Sequence, residues 1–562
     1  MQDNQFDSTP STLLALSATV PEQLVAAAVP TPAGPDKGER ARETAAEPHD
    51  PLETLTPKPN PEIVFGLVGP VGVELRPVID AIGDELAGKY RTRTIKLSEL
   101  IEDFFGTNFN SGAEHLRIRK LMHLGTYLRQ KTKFGEAVGL LGIEEVARLR
   151  EEELGGETFG NAYIIRSLKT PEEVQLFRNV YGKGFFLISV YSHRENRVSY
   201  LSDRLADSLH GDTQKCRARA ERLVEIDELE NRPFGQDVRD AFPLADLFIN
   251  SDDRENLRAQ VKRFVELIFG YRFATPTQEE HGMQHARAAA MRSSDMNRQV
   301  GAAIANDEGD LLALGCNDVP KAGGGFYWPD SSPDERDFRK GVDSMSEHRS
   351  QVIREFLARL EAAKLLNLKE SIPEVADSLL SGDLSWVLKG ATATSALEFG
   401  RSVHAEMAAI TTAARLGISL AGTTLYVTTF PCHICARHIV ASGIRNVFYI
   451  EPYPKSRAKK LHGDAILVDP ITPSEKLTNF RPFRGIAPSR YFELFEAGDL
   501  RKDDDGKVPA WKISSGSPRF QRYIVTYTSL ETNIIGELLP AIRKIGISVP
   551  EDQLASLEQE FA

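Results

Sequence analysis

Cysteine is scarce in this chain, with only Cys216, Cys316, Cys432 and Cys435 among 562 residues. So few thiols exclude a disulfide framework and fit a reducing compartment. An excess of basic charge is also missing: 68 Lys and Arg face 80 Asp and Glu, a net charge of −12. A dominant nucleic-acid-binding surface requires the opposite balance, although a local basic pocket for a phosphate is compatible with it. No apolar run approaches the roughly 18 residues of a membrane span. The opening MQDNQFDS lacks a basic n-region, and the mildly apolar run after it is broken by Pro21 and Glu22. Neither a signal peptide nor contact with a membrane is expected, and the chain reads as cytoplasmic. Internal repeats are missing too. The length exceeds a single core and implies two or three domains.

Residues 1–60 are rich in Ala, Pro, Thr and Glu without a hydrophobic period, and read as a disordered tail with one transient helix near 13–28. Order begins at Pro61. IVFGLV (63–68) is an apolar run of the buried-strand type. It enters a turn containing Gly66, Gly69 and Gly72, after which Leu75, Val78, Ile79 and Ile82 follow at helical spacing. Strand, glycine turn and helix is how phosphate-binding loops begin. Further strands are expected at 162–166, 185–191 and 246–250, between helices at 113–132, 137–153 and 254–269. That alternation implies a parallel α/β sheet over 61–272. A second unit, 273–500, opens with a helix carrying Met283, Ala286, Ala290 and Met291 and continues through strands at 301–305, 311–314, 424–428 and 446–450. An interruption at 326–400 contains a long charged helix (346–365). Residues 501–562 read as an extension packing on the second unit, with a strand-like YIVTYTS at 523–529.

Two stretches carry chemistry: RSVHAEMAAI (401–410) and TTFPCHICA (428–436). His404, Cys432 and Cys435 are three soft or borderline ligands, which leave the fourth position of a tetrahedral Zn²⁺ open for water. That is the catalytic rather than the structural arrangement; a structural site needs a fourth protein ligand, for which His433 and His438 are candidates. Glu406, two residues from His404, reaches such a water without coordinating the metal and can pass its proton to a leaving amine. The H-x-E…P-C-x-x-C pair is the signature of zinc deaminases. Both clusters are expected to open helices, whose N-terminal dipoles stabilise thiolates.

Residues from about 277 to 500 resemble the deoxycytidylate deaminase family. The resemblance extends beyond the metal motif to RSSDMNRQVGA (292–302), GCNDVP (315–320) and YVTTFPCHICA (426–436) with its continuation to Gly443. It implies zinc on His404, Cys432 and Cys435, proton transfer by Glu406 and free deoxycytidine nucleotides as substrate. It also implies a substrate contact by Asn317. Ala405 is a further substrate-contact candidate, and Arg298, Lys321 and Lys455, near the matched loops, are candidates for the substrate phosphate. The sequence departs from the family pattern at Ala408, where Asn is usual, at Cys316 and Asp318, and in the long insert. The whole arrangement, including NFRPFRGIAPSRY (479–491), resembles the bacterial antiphage dCTP deaminases. That likeness implies depletion of dCTP or dCMP during infection, a regulatory nucleotide at the N-terminal domain, homo-oligomers and an inhibitory RNA. The first half is similar to nucleotide kinases such as dephospho-CoA kinase, with ADLFIN (245–250) followed by a basic helix. The expected fold is therefore α/β, with an N-terminal P-loop-like parallel domain and a C-terminal cytidine-deaminase-like α/β/α domain with a mixed sheet.

The glycine turn departs from G-x-x-x-x-G-K-[ST] in either register. From Gly69, Glu74, Leu75 and Arg76 stand where Gly, Lys and Ser/Thr belong; from Gly66, those places hold Val71, Gly72 and Val73. Phosphoryl transfer without that lysine and hydroxyl loses its electrostatic clamp, so nucleotide binding at Gly66, Gly69 and Gly72 is favoured over catalysis. Two rival functions use the same motif: a cytosine or adenine deaminase of nucleic acid, and a nucleotide-sensing signalling protein with the deaminase fold as a binding module. The acidic balance weighs against the first and Glu406 against the second. His281 and His285, four apart on a helix, read as a solvated face, and so do Arg217, Arg219 and Arg222. Cys216 and Cys316 read as plain buried thiols.

Overall fold

The computed structural model describes residues 60–109, 112–209, 213–229, 234–388, 400–450, 457–496, 507–520 and 526–560. The tail 1–59 and Lys455 lie outside these residues, as do the first three residues (523–525) of the strand-like 523–529.

The first sheet forms around β1 (Ile63–Val68), every residue of which is buried. β2 (Arg91–Lys96), β3 (Asn161–Leu168), β4 (Phe185–Tyr191) and β5 (Leu247–Asn250) join it in the order β2-β3-β1-β4-β5, all parallel. Alternation along β1 feeds two cores. Ile63, Phe65 and Leu67 pack toward helices α1 (Arg76–Leu86) and α8 (Arg254–Ile268). Val64 and Val68 face α4 (Ala137–Leu154) and α5 (Pro171–Tyr181). Burial on both faces is what makes parallel strands read as unbroken apolar runs. α2 (Leu97–Phe105), α3 (Glu114–Thr132), α6 (Arg194–Leu209) and α7 (Thr213–Leu229) complete this unit.

The second sheet is mixed. β6 (Gly301–Ala305) lies antiparallel to β7 (Leu311–Cys316) and β8 (Thr424–Val427), while β8, β9 (Asn446–Tyr449), β11 (Thr478–Pro482) and β10 (Ile466–Val468) run parallel. Small residues let helices approach closely. α9 (Gln278–Ala290) crosses β6 so tightly that a Cβ on Gly301 would stand 1.9 Å from the Ala286 carbonyl. On β7, a Cβ on Gly315 would stand 2.2 Å from the carbonyl of Ala405, which opens α12 (Ala405–Leu416). α13 (His433–Ala441) packs on the same face as α12. The interruption supplies α10 (Ser344–Ala362) and α11 (Ile372–Leu380), which share a small core of Ile353, Leu357 and Ala376.

The chain beyond β11 departs from the expected division. β12 (Gly485–Ile486) leaves the second unit and pairs antiparallel with β5 of the first sheet. The extension packs on the first unit, not on the second as expected. α14 (Tyr527–Lys544) lies against α4 and α5, and α15 (Glu551–Gln559) against α3. Charge burial explains this choice. Arg150 bonds Glu62 at 2.9 Å and Glu531 of α14 at 2.6 Å, and the hydroxyls of Tyr181 and Tyr527 donate to the same two carboxylates. A buried ion pair of this kind persists only when its remaining lone pairs are satisfied, and α14 supplies those partners. The strand-like reading of Tyr527–Ser529 is likewise overturned, since these residues open α14.

Candidate metal centre and the cavity around it

Helix starts bring the four motif residues together. His404 is the N-cap of α12, with extended backbone and its carbonyl accepting from the Ala408 N–H at 2.8 Å. Cys432 is the N-cap of α13, and its Sγ accepts from the Cys435 N–H at 3.4 Å. His404 Nδ1 lies 3.3 Å from Cys432 Sγ and 3.4 Å from Cys435 Sγ. A tetrahedral Zn²⁺ with bonds of about 2.0 Å to nitrogen and 2.3 Å to sulfur needs an N···S edge of about 3.5 Å, so the donor set fits. Among the described residues this is the one group of three or more His, Cys, Asp or Glu close enough to hold an ion. Neither His433 nor His438 belongs to that group. The fourth ligand of a structural site is therefore not found among the described residues.

Protons at this centre are distributed by contact. The Cys435 thiol and then His404 hold Cys432 down to about 4, against burial. The Cys432 contact, then burial, pushes Cys435 far up. His404 is raised to about 9, chiefly by Cys432. Metal binding requires these groups without their protons, so a bound dication would displace them. Glu406 is the second residue of α12, in its first turn, and is 3% exposed. Burial, and next the Cys432 charge, raise its carboxyl above the usual range. A carboxyl at that place can take a proton from a water in the cavity and return it.

His404, Glu406 and Cys432 open into a cavity of about 480 Å³. Ala405, Arg298 and Asn317 also line it. Asn317 spends its amide on the chain, however: Oδ1 accepts from the Val300 N–H at 2.7 Å and Nδ2 donates to the Arg298 carbonyl at 2.8 Å. It therefore fixes the loop that presents Arg298. Lys321 is not part of the cavity, being exposed in a turn closed by its own N–H to the Gly325 carbonyl at 2.9 Å. Ala408 lies in the α12–β7 contact and not in the lining, so the departure there belongs to helix–strand packing. Two wall segments carry no motif signal: Asp337, Asp343 and Met345 of the interruption, and Arg239 of the first unit. Arg401, the first residue of the His404 stretch, also lines the wall and bonds Asp337 at 2.6 Å.

The glycine turn borders a second cleft, of about 340 Å³, at the carboxyl ends of β1 and β3. Gly69 and Gly72 line it with Lys96, Arg117, Arg166, Lys169 and Arg204. Gly66 does not; it lies inside β1, where a Cβ would meet Leu168 at 2.6 Å and Phe185 at 2.8 Å. Gly72, at φ +89°, sits against the Arg197 carbonyl. The turn is partly occupied by the protein itself: the Val71 N–H donates to Asp227 at 2.8 Å, and Lys169 donates to the Gly69 carbonyl at 3.1 Å. Glu74 is paired with Arg254 outside the cleft. His281 and His285 are half-buried rather than solvated, with His281 Nδ1 3.2 Å from the Tyr491 hydroxyl. Cys216 and Cys316 are buried, and Arg217 pairs on the surface with Glu195 and Glu221.

Known proteins resemble the second unit. The deoxycytidylate deaminase of Enterobacteria phage T2 is 49% identical over 55 residues, which are 10% of this chain and 29% of that protein. ComE operon protein 2 of Bacillus subtilis is 42% identical over 53 residues, 9% and 28% of the two chains. A probable deoxycytidylate deaminase of Drosophila melanogaster is 45% identical over 71 residues, 12% and 34%. The chain thus spans less than a third of the phage relative's length. A solved dCMP deaminase from cyanophage S-TIM5, in complex with dCMP and dUMP, aligns over 37% of this chain and 98% of its own at 16% identity, with a TM-score of 0.20. Residues 276–451, which hold His404, Glu406, Cys432 and Cys435, match the family described as the cytidine and deoxycytidylate deaminase zinc-binding region.

Proposed function

We propose that the chain is a zinc-dependent hydrolase that deaminates free deoxycytidine nucleotides, dCTP or dCMP, to the deoxyuridine nucleotides and ammonia. One observation carries the reading: three ligand atoms converge within 4.8 Å beside a buried carboxyl that faces the same cavity. When bound by His404, Cys432 and Cys435, Zn²⁺ supplies a Lewis acid that makes water nucleophilic near neutral pH. Glu406 takes the proton of the water that attacks C4 of the cytosine ring. Glu406 delivers that proton to ring N3; as the C4–N bond breaks, it passes the second proton of the attacking water to the departing amine, so that ammonia leaves and the C4 oxygen becomes a carbonyl. Ala405 and Phe430 in the wall exclude bulk water from the ring. Arg298 stands in the cavity as a cation for the phosphate.

An antiphage role would follow from draining dCTP, and the basic cleft of the first unit would then take a regulatory nucleotide. Lys96, Arg117, Arg166 and Arg204 support that assignment. Asp227, held against the glycine turn, supports binding without phosphoryl transfer. A panel of dCMP, dCTP, CTP, deoxycytidine and single-stranded DNA, scored for ammonia release, tests the reading. Turnover of the free deoxynucleotides is expected; turnover confined to DNA, or absent throughout, would sink it.

A further inference from the structure

The deaminase cavity is not built from the second unit alone. Arg239 lines it from a short helix, Val238–Ala241, that belongs to the first unit. Its mount is firm. The Asp237 N–H donates to the Lys169 carbonyl at 2.8 Å, and the Asp237 carboxylate caps the helix at the Asp240 N–H. Ser189 of β4 donates its hydroxyl to the Phe242 carbonyl at 2.8 Å. Val238, Ala241 and Phe242 are buried, so the segment is pinned to the sheet on both sides of Arg239.

Charge in the cavity gives that position meaning. Asp295, Asp337 and Asp343 line it, and a phosphate entering beside three carboxylates would be repelled. Arg298 enters from the loop before β6, and Arg239 faces the same space from the other unit. Guanidinium groups are the side chains best matched to phosphate oxygens, because they donate in a fixed planar fork. We infer that Arg239 is a specificity-determining residue that binds the 5′-phosphate of the substrate, so that the first unit completes the active site and selects nucleotides over nucleosides.

This inference rests on the deaminase reading, and the experiment separates the two. Full-length, zinc-loaded wild type, Arg239→Gln and Arg239→Lys are compared on deoxycytidine, dCMP and dCTP. Ammonia release and equilibrium binding are measured side by side. Arg239→Gln should raise KM and Kd for dCMP and dCTP by about tenfold to a hundredfold, the loss expected for a charge-assisted hydrogen bond. Its kinetics on deoxycytidine should be unchanged, and Arg239→Lys should recover part of the loss. An equal loss on all three substrates would assign Arg239 a structural role and overturn the inference, as would an unchanged KM for the nucleotides. Wild type that binds dCMP more tightly than Arg239→Gln but releases no ammonia refutes the reaction and retains the role of Arg239. Wild type that neither binds nor turns over any of the three refutes both.

Discussion

Gly315→Ala is a one-carbon test of how the fold holds the metal centre. The added Cβ would stand 2.2 Å from the Ala405 carbonyl oxygen, 2.4 Å from the Ala409 nitrogen and 2.9 Å from the Ala408 Cβ. The first two are backbone atoms, so no rotamer change relieves the clash. α12 must retreat from β7 by about 1 Å to restore ordinary contact distances. Overpacking of this kind costs about 1–3 kcal/mol. In a cooperative unit of about 150–250 residues that lowers Tm by about 2–4 °C per kcal/mol. The site should suffer more than the fold. α12 begins at His404 and carries Glu406, whereas Cys432 and Cys435 sit on α13. Its retreat opens the 3.3 Å and 3.4 Å contacts from His404 to the two sulfurs. A misplacement of about 1 Å is worth about a hundredfold in rate. The control is Gly301→Ala, which brings a Cβ to 1.9 Å from Ala286 in α9, a helix holding none of the four motif residues. Both variants should melt early in thermal denaturation followed by circular dichroism. Gly315→Ala alone should lose zinc, by metal analysis, and ammonia release. Full zinc content and full activity in Gly315→Ala would refute the idea that the α12–β7 approach sets the ligand geometry.

Other expected outcomes follow from the same distances. Glu406→Gln should keep its metal and lose about a hundredfold to ten-thousandfold in ammonia release, and turnover near wild type would remove Glu406 from proton transfer. Cys432→Ser should lose most of about one zinc per chain, and retention of the full amount would place the metal elsewhere. Asp469→Asn should change how stability depends on pH. Burial pushes Asp469, which packs against Tyr191 and His193 of the first unit, up to about 7 from 3.8, while Arg484 opposes the shift. Between those values the unfolded chain has released a proton that the folded chain still holds, so stability falls as pH rises through that window. Urea unfolding of the variant should show a flatter profile, with the gain over wild type growing toward neutral pH and levelling off above it. A parallel profile would show that the carboxyl is not protonated in the folded state.

The metal centre was legible because its signal is local. Each pair of motif residues, His404 with Glu406 and Cys432 with Cys435, lies at a helix start, and one spacing within each stretch decides which side chains converge. Asn317 shows the limit of that reading. Its position in the loop was expected, but the partner of its amide is the backbone of Arg298 and Val300, brought near only by the β6–β7 hairpin. Lys321 was misplaced for a related reason. Three residues beyond the Asn317–Asp318 pair the chain closes a glycine turn, and closure aims the lysine at solvent. Arg239 left no trace at all. It stands 165 residues before His404 by their numbers, in a four-residue helix with no pattern of its own.

The same contrast runs through the fold. IVFGLV and FFLISVY announce themselves because strands buried on both faces must be apolar throughout. RTRTIK of β2 does not, since it is the sheet's outer parallel strand and only Ile95 is buried. β12 is a two-residue strand whose partner, β5, lies more than two hundred residues earlier, and no periodicity can encode that distance. What could have been read was charge. Glu62, Arg150 and Glu531 stand in apolar surroundings, and a buried ionised group must find a counter-charge within the fold. Arg150 alone cannot neutralise two carboxylates, so Glu531 also takes the Tyr181 hydroxyl of α5 and Glu62 the Tyr527 hydroxyl of α14. The division into a first unit, a second unit and a tail therefore describes the order of the chain and not its packing. The first core is closed by residues that follow the second, and the second unit's cavity is closed by a residue that precedes it.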